Sequence, residues 1–322
     1  MNILNRLVKQ REFMIFCIVL VMFIVMSFAS PHFLSYQNLL GVLLGLSFEA
    51  LIAVAMVMLM VSGGFDMSVG SVVAFTGSLV AVLMRSGVPI PLAITVAMMA
   101  GACIGLFNGF IVAKIGINPF VTTLAGLSIF RGLTLIITGG RNISPLPDVF
   151  NMIGQTRFGP VQTPILFMLF FVILGDIFLR KSRFFRRCYY IGGNEKAAGL
   201  SGIPVAKMKM FCFMLTGLFA GIAGVIMASR LGTASVTAGT GLELRVITAV
   251  IIGGASLRGG EGTVLGAFLG SFLMALIMNA LTLLRVDVYW HTFVIGATLL
   301  TAVLIDRFGK IRSEKNLTKT KL

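Results

Sequence analysis

In Gly63-Gly64-Phe65-Asp66-Met67-Ser68 this sequence puts a carboxylate between two long apolar runs. A carboxylate at the centre of a helix in lipid costs about 2.5–3.5 kcal/mol, so Asp66 must face a cavity, a partner or an aqueous edge. The two glycines permit an unwound backbone that turns peptide groups toward a path. Gly63, Gly64, Asp66 and Ser68 are therefore expected to line or gate a translocation route. The competing reading is a short turn in which Asp66 or Ser68 caps the following helix. Neutral hydrogen-bonding groups follow at Asn108 and in Asn118-Pro119-Phe120-Val121-Thr122-Thr123. Asn108, Asn118 and Thr122 suit a polyhydroxylated neutral solute better than an ion, and the same residues would also serve as ordinary helix caps.

A second stretch is a polar island, CYYIGGNEKAAGLSGIP at 188–204. Asn194 is a good N-cap, and Glu195 puts negative charge in the first turn, where it suits the helix dipole. Lys196, Ala197, Ala198 and Leu200 favour helix, Gly202 can adopt the left-handed conformation that ends one, and Pro204 blocks continuation. The spacing predicts one or two turns of helix, capped at both ends, outside the bilayer core. Such an element is either a plain interfacial helix between spans or a surface that meets a partner.

Other chemistry is missing. No G-x-x-x-x-G-K-S/T loop, H-E-x-x-H helix or G-x-S-x-G elbow occurs, which argues against nucleotide binding and catalysis by this chain. Glu49, Arg131 and Asp176 are the remaining charges within or near apolar runs, and Arg131 is expected to snorkel outward. His32 and His291 fall at predicted outer ends, so no relay of buried acids and histidines is available to a proton- or sodium-coupled pump. The four cysteines, at 17, 103, 188 and 212, have neither metal nor redox spacing.

The elements that must position these residues follow from composition. The chain is 57% hydrophobic and 11% charged, where soluble domains carry about 25% charged residues. Runs long enough to cross about 30 Å of hydrocarbon recur throughout. They predict an all-α polytopic membrane protein of about ten transmembrane helices, some broken, in a single domain. The spans fall near 13–30, 41–61, 68–84, 91–113, 120–138, 164–179, 208–229, 246–254, 263–284 and 292–305, with a basic tail over 306–322. The first, after Arg6, Lys9 and Arg11, is too long for a signal peptide and ends in a poor cleavage site, so it reads as a retained span. The eighth is too short to cross unless 242–245 joins it. With ten spans, most of the 26 Lys and Arg residues sort to one side, so both termini and the loop 180–209 are expected to be cytoplasmic. That sorting accounts for the net charge of +15 without nucleic acid.

Glycine stripes at Gly41-x3-Gly45, Gly101-x3-Gly105-x3-Gly109, Gly217-x3-Gly221 and Gly262-x3-Gly266-x3-Gly270 predict close helix packing. The segments 62–84 and 253–278 share a plan: a glycine pair, a polar break, then a glycine-marked apolar run ending in methionine. Duplicated broken helices of this kind accompany transporter architecture.

SGGFDMSVGSV, NPFVTTLAG, YYIGGNEKAAGLSGI, AVIIGGASLRGGEGTVLGA and LLTAVLIDR stand in the order found in permease subunits of bacterial sugar-uptake ABC transporters. The chain resembles the ribose-type monosaccharide permeases from its second span onward. The resemblance implies one permease domain over residues 1–322 in the bacterial plasma membrane, working as a pair with itself or a similar permease. It implies a cytoplasmic ABC ATPase that holds the ATP and Mg, an extracytoplasmic sugar-binding protein that delivers solute, and no cofactor in this chain. The segment 190–203 then resembles the coupling helix that docks on the ATPase, with Asn194, Glu195, Ala198 and Ser201 as contacts. Three positions depart from the pattern: Gly199 where many relatives have arginine, Met67 for leucine, and Arg245 where relatives often have aspartate. The rival reading is a stand-alone secondary carrier or channel, which needs no ATPase; a membrane enzyme lacks a catalytic constellation.

Overall fold

The computed structural model describes residues 11–319; Arg6 and Lys9 of the basic amino-terminal stretch lie outside the described residues. Ten long or apolar helices form the bundle. They are α1 (Arg11–Ala29), α2 (Tyr36–Val61), α3 (Val69–Arg85), α4 (Ile90–Phe110, continued by a wider turn over Ile111–Ile115) and α5 (Pro119–Thr138). After a short α6 (Asp148–Gln155) and a hairpin of β1 (Arg157–Phe158) and β2 (Val161–Gln162) comes α7 (Thr163–Lys181). Two short helices follow, α8 (Arg183–Gly193) and α9 (Glu195–Leu200). Then come α10 (Val205–Leu231), α11 (Leu242–Ile252), α12 (Val264–Leu283) and α13 (Tyr289–Lys319). Eight of these helices are long and apolar enough to cross a membrane, and α3 and α11 are shorter apolar helices. The ten anticipated spans are thus all helical.

The helix that is apolar all round takes the centre. α2 is buried almost continuously from Val42 to Val61, as a helix without a polar face must be, and α7, α10, α11 and α12 surround it. α1 lies at the periphery, with Ile15, Val19 and Met26 packed on Leu273 and Leu276 of α12. Glu12 near the start of α1 accepts a hydrogen bond from Thr263 Oγ1 (2.9 Å), and its carboxylate is 3.9 Å from Arg180 at the end of α7. The first turn of α1, the end of α7 and the start of α12 therefore share one end of the bundle, the end that also carries α8 and α9.

Glycine spacing decides the closest approaches. A Cβ on Gly101 would come within 2.6 Å of the Gly217 carbonyl oxygen, and one on Gly217 within 2.8 Å of the Gly105 nitrogen. The stripes of α4 and α10 are two halves of one backbone-to-backbone contact. Gly266 and Gly270 let α12 approach Gly253 and Ala249 in the same way. Gly41 and Gly45 differ: no atom lies within 4 Å of a Cβ at either position, so this stripe is an open groove on the single chain.

Several elements differ from expectation. The eighth span begins at Leu242, so the four preceding residues do join it, and it still has only 11 residues. The basic loop holds α8, whose Cys188 and Ile191 are buried while Arg186 and Arg187 face outward; two-sided patterning over so few residues is hard to separate from a loop. α6 and the hairpin are also additional. Residues 306–319 continue α13 as helix instead of forming a separate tail. Arg131 does not snorkel: its Nη1 donates inward to the carbonyls of Val236 (2.8 Å) and Ala238 (2.9 Å).

Candidate functional site

The break between α2 and α3 gathers a buried polar cluster. α2 ends at Val61 because Gly63 turns the chain at φ +84°, a conformation that suits glycine. The chain then stays non-helical until Val69. Asp66 Oδ1 accepts from the Ser68 amide (2.7 Å) and the Ser68 hydroxyl (2.6 Å). Asn108, from α4, donates through Nδ2 to Ser68 Oγ (3.0 Å) and to Asp66 Oδ2 (3.4 Å). All three side chains are essentially inaccessible. A Cβ on Gly126 of α5 would lie 3.3 Å from Asn108 Oδ1 and 3.4 Å from Ser68 Cβ, so three helices and the break close on this cluster. Asp66 acts as a local cap and an interhelical partner at once, which joins the two readings of the stretch.

The remaining path candidates separate. Thr122, one turn before Gly126 on α5, is buried and its Oγ1 has no partner. Asn118 is exposed and caps α5, accepting from the Phe120 amide at 2.8 Å; it does not join the cluster. Gly63 and Gly64 do not join it either. Gly64 packs under Leu59 and Phe213, and Gly63 faces Arg258 and Gly192.

That last contact ties the break to the polar island. α9 forms as its caps dictate: Asn194 Oδ1 accepts from the Ala197 amide (3.0 Å), and Gly202 ends the helix at φ +80° with the Ile203 amide donating to the Ala198 carbonyl (3.1 Å). Glu195, 57% exposed, pairs with Lys209 on α10 at 2.5 Å. Ser201 is exposed and donates back to the Ala197 carbonyl. Ala198 is a correction: it is buried and faces the bundle, because the helix keeps one small residue inward to seat against the protein. The outward apolar residue is Leu200, 91% exposed, which caps and helix propensity alone do not single out. Gly199 stands beside it with open space around its Cα, so an arginine there would extend freely.

Immediately before α9, Gly192 and Gly193 meet two breaks at once. A Cβ on Gly259 would come within 2.7 Å of Gly192 Cα and 2.9 Å of the Gly63 nitrogen, and the Gly260 amide donates to the Val61 carbonyl (2.9 Å). Tyr189 of α8 adds a hydrogen bond from its hydroxyl to the Gly262 carbonyl (2.7 Å); burial pushes this phenol up, so it stays a donor at neutral pH. The two segments of shared plan are thus both breaks followed by a helix, they touch each other, and α8–α9 rests on both.

The family described as the permease component of branched-chain amino acid transport systems matches residues 38–303. The chain is 39% identical to the ribose import permease of Bacillus subtilis (strain 168), covering 89% of this chain and 90% of that one. It is 35% identical to an L-arabinose ABC transporter permease of Azospirillum brasilense, covering 90% and 86%. It is 33% identical to the autoinducer 2 import permease of Enterobacter sp. (strain 638), covering 96% and 90%. No solved structure matches the chain. These relatives are transport subunits rather than enzymes, and the Asp66 break, the α9 island and the glycine-packed bundle all lie inside the matched region. A multi-pass membrane protein so matched along its length belongs to this permease family, in its ribose-type branch.

Proposed function

We propose that this chain forms the transmembrane path of an ATP-driven importer for a monosaccharide or similar polyhydroxylated solute in a bacterial inner membrane. Two permeases, this chain with itself or with a paralogue, would pair around the path. ATP and Mg would be held by a separate ATPase, and an extracytoplasmic binding protein would deliver the solute. The α8–α9 end would be cytoplasmic, with both termini on that side, as the distribution of basic residues favours.

The observation that carries this reading is the placement of α9. It is a capped helix with Asn194, Glu195, Leu200 and Ser201 turned outward, and its root at Gly192–Gly193 lies backbone against backbone on Gly63 and Gly259. A rigid contact of this kind transmits displacement rather than absorbing it. An ATPase pushing α9 would move the α2–α3 break and the 253–263 segment together, with Asp66 three residues beyond Gly63. Because a ligand shifts an equilibrium only through differential affinity, the ATPase must bind one state of the bundle better than the other. The chain tagged and extracted from its native membrane in mild detergent should carry a stoichiometric ATPase with a phosphate-binding loop, identified by mass spectrometry. Reproducible recovery of the chain alone, in detergents that preserve such complexes, would contradict the reading.

A further inference from the structure

Four charged side chains lie outside both sites described so far. Glu49 stands at the midpoint of α2 and is 5% exposed. Arg131 lies in the second half of α5, and Glu243 and Arg245 lie near the start of α11. What assembles them is the course of residues 232–241. This segment pairs Ala234 with Ile143 beyond the end of α10, then runs inward until Gly239 lies against Gly70, the second residue of α3. α11 therefore starts inside the bundle, and its 11 residues give a half-span of about 16 Å. Arg131 fixes the segment through its bonds to Val236 and Ala238, and the absent side chain of Gly70 leaves the space that Glu243 Oε2 occupies.

The four groups sense each other without touching. Glu49 lies in the field of Arg245, and Glu243 in the fields of Arg131 and Arg245. Among the described residues no ion pair within 4.0 Å joins any two of them. Glu49 Oε1, Glu243 Oε2 and Arg245 Nε are buried with no hydrogen-bond partner. Buried charges left in this state are strongly unfavourable unless a polar group fills the gap between them. Two carboxylates and two guanidiniums balance, so the occupant needs no net charge. It must donate to carboxylate oxygens and accept from guanidinium N–H groups, and hydroxyls do both.

We infer that Glu49, Arg131, Glu243 and Arg245 form a recognition station for a neutral polyhydroxylated solute at the buried start of α11. The inference rests on the importer reading above and names what that path recognises. Interrupted helices ending inside the bilayer are where membrane carriers build such stations, and intramembrane charges are retained for function. A sugar phosphate or sugar acid would bring an uncompensated negative charge into the interior. Aspartate at 245, as in the permeases this chain resembles, would set three carboxylates against one guanidinium, so Arg245 makes this station distinct.

The test is uptake of labelled D-ribose by proteoliposomes containing this chain with its ATPase and binding protein. The variants are Glu243→Gln and the double variant Glu49→Gln/Arg245→Gln, both near-isosteric. The double variant removes two compensating charges, so a purely structural pair would be replaced with little loss. The expected result is a protein that still inserts and retains its ATPase on size exclusion while D-ribose uptake falls by about tenfold or more in each variant, with KM raised, because site groups built to bond hydroxyls are lost. Uptake within about twofold of wild type in both variants would overturn the station. Solute loaded into the lumen bypasses the binding protein: D-ribose there should slow wild-type uptake and D-ribose 5-phosphate should not. Equal inhibition by the phosphate ester would overturn the assignment of a neutral solute. If the wild type shows no ATP-dependent uptake of any pentose, the importer reading fails and the station falls with it.

Discussion

Asp66 and Glu195 are both acidic, and their surroundings give them opposite duties. Asp66 is sealed among Ser68, Asn108 and Gly126. Its removal as Asp66→Ala leaves the Asn108 amide and the Ser68 donors short of a buried acceptor, which costs about 1–3 kcal/mol. The expected outcome is a lower thermal midpoint in detergent, while Asp66→Asn, which keeps an acceptor at Oδ1, recovers most of the loss. Equal loss in both variants would show that the charge, and not the acceptor, is what the cluster needs. Glu195 is surface-exposed and its pair with Lys209 is worth about 0–1 kcal/mol. Glu195→Lys is therefore expected to leave insertion and thermal midpoint almost unchanged and to reduce ATP-driven uptake about tenfold, within the usual range of coupling between distant sites. Wild-type uptake in that variant, measured in proteoliposomes, would remove α9 from the coupling route.

At the scale of elements, the same small residue has two meanings. Gly217 sits where α10 touches α4 backbone to backbone, so Gly217→Leu must separate the helices, an overpacking cost of about 1–3 kcal/mol or more. Gly41 faces open space on the single chain, so Gly41→Leu should leave the folded monomer intact. Size-exclusion profiles of the two variants decide this: a monodisperse Gly217→Leu protein would contradict the packing described here. The stripe pattern identified helices that approach something, but not what they approach, since lipid, a second chain and a neighbouring helix select the same small residues. Helix caps were legible at Asn194 and Gly202 because capping is local. α8 was not, because its Phe184–Phe185–Cys188–Ile191 face reads as a helix only once Phe211 and the core are in place against it.

For the whole molecule, the all-α class and the ten helices were written in the length and spacing of the apolar runs, a long-range signal that survives errors at every helix end. The candidate sites were legible only in part. Asp66, Ser68 and Asn108 were chosen separately for their polarity, and the fold brings them together. Asn118 was chosen on the same ground and remains a cap, since polarity beside a helix start does not reveal which way a side chain points. The inward course of 232–241, which places Glu243 beside Gly70, has no signature in local sequence; it arises from contacts between residues far apart in the chain.

The account as a whole claims that this chain provides a path and another protein provides the energy. The most direct measurement is D-ribose and L-arabinose uptake by proteoliposomes containing the chain alone, compared with vesicles that also contain its ATPase and are given binding protein and ATP. Uptake that requires the complete set, stops without ATP and exceeds the outside concentration is the predicted result. Uptake by the chain alone at the same rate, indifferent to ATP, would contradict the account and identify a carrier that works unaided.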